Sequence, residues 1–124
     1  MNAEKNDKIL IAEDDQSISR LIAYKFEKED YKIKVIEEGD KVLEEIKSDD
    51  YDALVLDLML PVLDGMQVLK KIREENFEIP VLVLSAKSQE EDILKGLSAG
   101  ADEYMTKPFR PDELLLRLKK MLAD

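Results

Sequence analysis

Short apolar runs alternate along this chain with stretches in which apolar residues recur every three or four positions. Ile9-Leu10-Ile11-Ala12, Ala53-Leu54-Val55-Leu56 and Val81-Leu82-Val83-Leu84 are too short for helices and show no polar alternation. Such runs predict strands buried on both faces, as in a parallel sheet. Lys32-Ile33-Lys34-Val35 does alternate, which predicts an edge strand with one wetter side. A short fifth strand is expected near Glu103–Thr106. Between the strands, five sets keep helical spacing: Ile18, Leu21, Ile22 and Phe26; Val42, Leu43 and Ile46; Met66, Leu69 and Ile72; Ile93, Leu94 and Leu97; Leu114, Leu115, Leu118 and Leu122. Asp15 or Ser17 can cap the first helix, Pro61 and Asp64-Gly65 lead into the third, Ala99-Gly100 ends the fourth, and Pro111 suits the first turn of the fifth.

Five β-α units in succession predict a doubly wound α/β domain. Right-handed crossovers and an edge-like second strand favour a five-stranded parallel sheet in the order 2-1-3-4-5, flavodoxin-like in its winding. In that order strands one and three are neighbours. Glu13 and Asp14 end the first and Asp57 ends the third, so three carboxylates should converge outside the carboxyl edge, at the topological switch point. Ser85 and Lys107 end strands four and five at the same edge.

With 124 residues, the chain suits one compact domain with a real core. No internal repeat or low-complexity tract interrupts it. The 19 Lys plus Arg stand against 29 Asp plus Glu, a net charge of −10, which argues against nucleic acid or an anionic membrane as a direct partner. The absence of Cys removes disulfides, thiolate zinc sites and thiol redox chemistry. The absence of His removes the commonest general base and transition-metal ligand. No stretch reaches the length of a signal h-region or a membrane span, so a cytoplasmic protein is expected.

Like charges do not gather at a strand terminus for stability, because they repel and their desolvation is costly. A cation should therefore sit among Glu13, Asp14 and Asp57. With no softer ligand near, the site is hard and all-oxygen, suited to Mg²⁺ or Mn²⁺. Asp15 is better read as a helix cap. A lone Ser after a strand is usually a turn residue and a lone Lys is usually solvated. Together with the carboxylates, however, Ser85 and Lys107 complete a set suited to phosphoryl transfer.

The acidic pair Glu13-Asp14, Asp57 within Asp-Leu-Met-Leu-Pro, the Asp64-Gly65 turn, Ser85-Ala86 and Lys107-Pro108-Phe109 stand together in one order and spacing. In this the chain resembles the receiver domain of bacterial two-component response regulators, the CheY-like family, from Lys8 to Leu122. Gly100-Ala101-Asp102-Glu103-Tyr104-Met105-Thr106 resembles the OmpR/PhoB subfamily most. The resemblance implies one receiver domain over residues 1–124, with no effector domain present. It implies a signalling protein, not a turnover enzyme, in which Asp57 accepts a phosphoryl group from the phosphohistidine of a sensor kinase. It implies Mg²⁺ held by Glu13, Asp14, Asp57 and the Met59 carbonyl, with Lys107 and Ser85 binding phosphoryl oxygens. Ser85 and Tyr104 would form a switch, and the Lys107-Pro108 bond would be cis. Phosphorylation would favour a homodimer through the fourth helix, fifth strand and fifth helix, where Asp102, Glu103, Glu113, Arg117 and Lys119 carry charges of the face. Glu13 departs from the commoner Asp. Ile93 and Ser98 replace charged partners, leaving two of the expected bridges incomplete.

Rival readings meet specific objections. A flavodoxin-like cofactor binder needs a phosphate loop rich in Ser, Thr and Gly after the first strand, where Glu13-Asp14-Asp15 would repel phosphate. Aspartyl-phosphate hydrolases carry Asp-x-Asp there, which is missing. A degenerate receiver used only for interaction would not need the intact Asp57, Lys107 and acidic pair.

Overall fold

A computed structural model describes residues 7–123 of the chain. Five strands and five helices alternate: β1 (Lys8–Ala12), α1 (Gln16–Glu27), β2 (Lys32–Ile36), α2 (Gly39–Ser48), β3 (Ala53–Leu56), α3 (Gly65–Glu74), β4 (Val81–Ser85), α4 (Glu90–Ser98), β5 (Glu103–Thr106) and α5 (Pro111–Ala123). The strands form one parallel sheet in the order β2-β1-β3-β4-β5, as the sequence predicts.

The apolar runs are continuous because each strand feeds two cores. Side chains alternate across a strand, so neighbours in sequence serve opposite faces. Leu10, Leu54, Leu56, Val81 and Val83 pack with Val42 and Ile46 of α2 and Val68, Leu69 and Ile72 of α3. Ile9, Ile11, Val55, Leu82 and Leu84 pack with Ile22 and Phe26 of α1 and Leu114 and Leu118 of α5. β2 is only partly buried, as expected of the edge.

Aspartate side chains cap the starts of α1 and α3. Asp15 accepts the Ser17 and Ile18 backbone N–H groups, and Asp64 accepts that of Gln67. Expectation and structure part at α4. The spacing of Ile93, Leu94 and Leu97 suggests a buried stripe, yet Leu94 is 55% exposed and Leu97 41% exposed. The buried residue of α4 is Gly96, which packs against the ring of Tyr104. A residue without a side chain leaves no hydrophobic signal in a periodicity.

Candidate functional site

Sheet register delivers the acidic residues to one place. Ala12 pairs with Leu56, so Glu13 and Asp57 follow at the same level, and the Asp57 N–H donates to the Ala12 carbonyl at 3.0 Å. Ser85 pairs with Thr106, which puts Lys107 one residue beyond, its N–H donating to the Ser85 carbonyl at 2.9 Å. Gly65 lets α3 begin close against this edge. A Cβ there would lie 2.3 Å from the Asp57 carbonyl oxygen, a distance no side chain tolerates.

Carboxylate oxygens of Glu13, Asp14 and Asp57 all lie within 4.8 Å of one another. Glu13 and Asp57 are buried, whereas Asp14 is exposed. The cation demanded by the charge argument is supplied by the chain itself. Lys107 Nζ donates to Glu13 Oε1 at 2.7 Å and to Asp57 Oδ2 at 3.1 Å. The free oxygens are also engaged: Glu13 Oε2 accepts the Asp15 N–H, and Asp57 Oδ1 accepts the Met59 N–H. Burial raises the Glu13 carboxyl above its ordinary range, against the pull of Lys107 and the Asp15 N–H. Burial pulls Lys107 down, but its hydrogen bonds to Glu13 and Asp57 and their charges outweigh this and hold it above its usual value. The donor set, three carboxylates with no nitrogen or sulfur ligand, fits Mg²⁺.

Ser85 is fully buried, and its Oγ accepts the Lys87 N–H at 3.2 Å. Tyr104 is turned inward, and its hydroxyl donates to the Lys87 carbonyl at 2.7 Å. Burial raises the Tyr104 phenol, opposed by a hydrogen bond to Ser85 and supported by the charges of Asp92 and Asp57. The Lys107-Pro108 bond is cis, as expected from the resemblance.

The chain matches the response regulator receiver domain over residues 9–119. It belongs to that family. It is 42% identical over 117 residues to the alkaline phosphatase synthesis transcriptional regulatory protein PhoP of Bacillus subtilis, covering 94% of this chain and 49% of that protein. It is 42% identical over 115 residues to the response regulator ArlR of Staphylococcus saprophyticus, covering 93% and 52%. The chain thus spans about half the length of these curated relatives. The receiver domain of the Francisella response regulator 1452 superposes with a TM-score of 0.92 at 40% identity, over 95% of this chain and 98% of that one. The BeF3-activated DrrB receiver domain superposes with a TM-score of 0.88 at 34% identity, over 97% and 100%. Response regulators are generally signalling proteins, not turnover enzymes. Receiver domains bind Mg²⁺ in an acidic pocket and partner with sensor histidine kinases. Among the described residues, no helix is long and apolar enough to cross a membrane.

The residues assigned to a partner face are less free than sequence suggests. Arg117 bridges Glu103 at 2.9 Å and Glu113 at 3.0 Å within the chain. Asp102 accepts the Val81 N–H at 2.8 Å and meets Arg73 at 3.3 Å, tying β5 to the start of β4. Lys119 pairs with Glu29, just after α1, at 2.6 Å. Ile93 is half-buried against the core. Sequence reasoning missed the role of Arg73, which also holds the Gly100 carbonyl through Nε at 3.1 Å and Nη2 at 2.8 Å. Its one available signal was an arginine near the end of an otherwise ordinary amphipathic helix.

Proposed function

We propose that the domain accepts a phosphoryl group on Asp57 from the phosphohistidine of a sensor kinase. The supporting observation is the convergence of Glu13, Asp14 and Asp57 within 4.8 Å, with Lys107 spanning two of them. An Asp57 carboxylate oxygen attacks phosphorus, the P–N bond breaks, and the histidine imidazole leaves. Glu13, Asp14, Asp57 and the Met59 carbonyl would hold Mg²⁺, which when bound neutralises charge on the phosphoryl oxygens. Lys107 exchanges its Asp57 contact for a phosphoryl oxygen while Glu13 keeps it oriented. The buried Ser85 hydroxyl donates to another oxygen. That would draw Ser85 from Tyr104 and bias the ring's position beneath α4, passing the change to the face built from α4, β5 and α5.

A weak phosphorylation-dependent dimer through that face is part of the same proposal. Glu103, Glu113 and Arg117 would exchange their intrachain pairs for pairs across the two-fold, each used twice. Asp102 and Lys119 would need to leave Arg73 and Glu29, and Ile93 would contribute an apolar contact at the rim. Exposed pairs contribute up to about 1 kcal/mol each, so a weak dimer is the expected strength. Sedimentation with and without beryllofluoride and Mg²⁺ tests it. A species that stays monomeric at high micromolar concentration would rule the dimer out.

A further inference from the structure

Two cavities between α3 and α4 share Met66, Lys70 and Lys95 and merge into one groove, with volumes of about 670 and 490 Å³. Its mouth, near the carboxyl edge of the sheet, is flanked by Met59 and Lys87. Its far end carries Leu94, the exposed leucine of α4. Met66 and Leu94 supply an apolar floor.

The charges along the groove differ in availability. Asp64 is engaged in capping α3, and Asp92 accepts the Gln89 N–H at the start of α4. Elsewhere among the described residues, Lys8, Lys25, Lys41, Lys47 and Lys119 are each paired with a carboxylate, whereas Lys28, Lys32, Lys34, Lys71 and Lys120 are not. Among the described residues, the ammonium groups of Lys70, Lys87 and Lys95 have no such partner. Three cations without an ion pair therefore line an apolar groove beside the two capping carboxylates, on a chain whose net charge is −10.

We propose that this groove docks an acidic amphipathic helix of a partner protein. Apolar side chains on one stripe of that helix rest on Met66 and Leu94, and flanking carboxylates meet Lys70, Lys87 and Lys95. Helix-in-groove recognition needs such a floor with polar margins. The rim selects the sign of the partner, because its three lysines outnumber Asp64 and Asp92 and a basic helix would set like charges against them. The groove is distinct from the Glu103–Arg117–Glu113 network on β5 and α5.

The test is a fluorescein-labelled designed helix, with Leu at i, i+3 and i+7 and Glu beside them, titrated with the full chain. Magnesium and phosphodonor are omitted, so failure here leaves the acceptor reading of Asp57 untouched. Saturable binding is expected at about 0.1 M salt, with a loss of at least about tenfold at about 1 M, as the screening length falls from about 10 to about 3 Å. Lys70→Glu and Lys95→Glu should each weaken binding by about 5- to 10-fold, a rim pair being lost and a repulsion gained. Lys71→Glu, on α3 but outside the groove, should leave it unchanged. In a methionine-methyl NMR spectrum Met66 should shift, while Met105 and Met121, buried beneath the opposite face of the sheet, should not. The proposal is overturned by no binding up to about 1 mM, by equal binding of a Lys-for-Glu helix, or by a still Met66. Self-association abolished by Leu94→Asp would also overturn it, assigning the groove to a second copy.

Discussion

The Lys107 ammonium lies 2.7 Å from Glu13 and 3.1 Å from Asp57, whereas Asp14 stands exposed at the same edge. Removing that ammonium leaves two buried carboxylates facing each other without a cation. Lys107→Met should therefore cost on the order of 3 kcal/mol in EDTA by denaturant unfolding. Mg²⁺ should raise the melting temperature of this variant more than that of wild type, since the metal replaces the missing charge. Equal Mg²⁺ shifts in the two proteins would refute the shared-charge account. Asp14→Asn removes a surplus charge and should stabilise the metal-free protein by up to about 1 kcal/mol. Sequence alone suggests the same gain for Asp57→Asn. The structure withdraws it, because Asp57 already pairs with Lys107 and accepts the Met59 N–H. That long-range pairing, between residues 50 and 94 positions apart, is a product of sheet register that no local pattern displays.

At the scale of elements, the loop from β3 to α3 holds an outlier. Val62 has φ of 70° and is 70% exposed, while the Leu63 N–H donates back to the Pro61 carbonyl at 2.8 Å. This is the strained form of γ-turn, and a β-branched residue in it costs roughly 1–2 kcal/mol. Val62→Asn should raise stability by about 1 kcal/mol, read from the denaturation midpoint. Unchanged stability would mean that the loop relaxes at no cost. Gly96 sets a second test. A Cβ there would lie 2.9 Å from two ring carbons of Tyr104, so Gly96→Ala should displace the inward ring despite a helix propensity gain of about 1 kcal/mol. Shifted Tyr104 ring resonances, with loss of the hydroxyl contact to Lys87, are the expected signature. The elements themselves were legible because strand runs and helix spacings are local. The placement of α4 was not, since its contact rests on a glycine while Leu94 and Leu97 face outward.

For the whole molecule, the sheet order was readable from five β-α units and an edge-like second strand, and the convergence of the acidic residues followed from it. Glu113 stands one turn before Arg117 on α5, a local spacing, but the pairing of Asp102 with Arg73, Arg117 with Glu103 and Lys119 with Glu29 was not readable, because those partners are distant in sequence. Alkaline stability reports on a different set of groups, one lysine and three tyrosines. Lys107 is raised above 10.5, and Tyr31, Tyr51 and Tyr104 are raised above 10.0, chiefly by burial for the tyrosines. Groups raised on folding contribute stability that is complete below their unfolded values and lost as pH climbs through the folded ones. Unfolding free energy should therefore fall above about pH 10, and Tyr51→Phe should flatten the decline. Acceptance of a phosphoryl group by Asp57, with Mg²⁺ held beside it, can be read from intact mass after incubation with acetyl phosphate. A single phosphate adduct is expected that needs Mg²⁺, vanishes in EDTA and is absent from Asp57→Asn. Full labelling of the Asp57→Asn protein would contradict it.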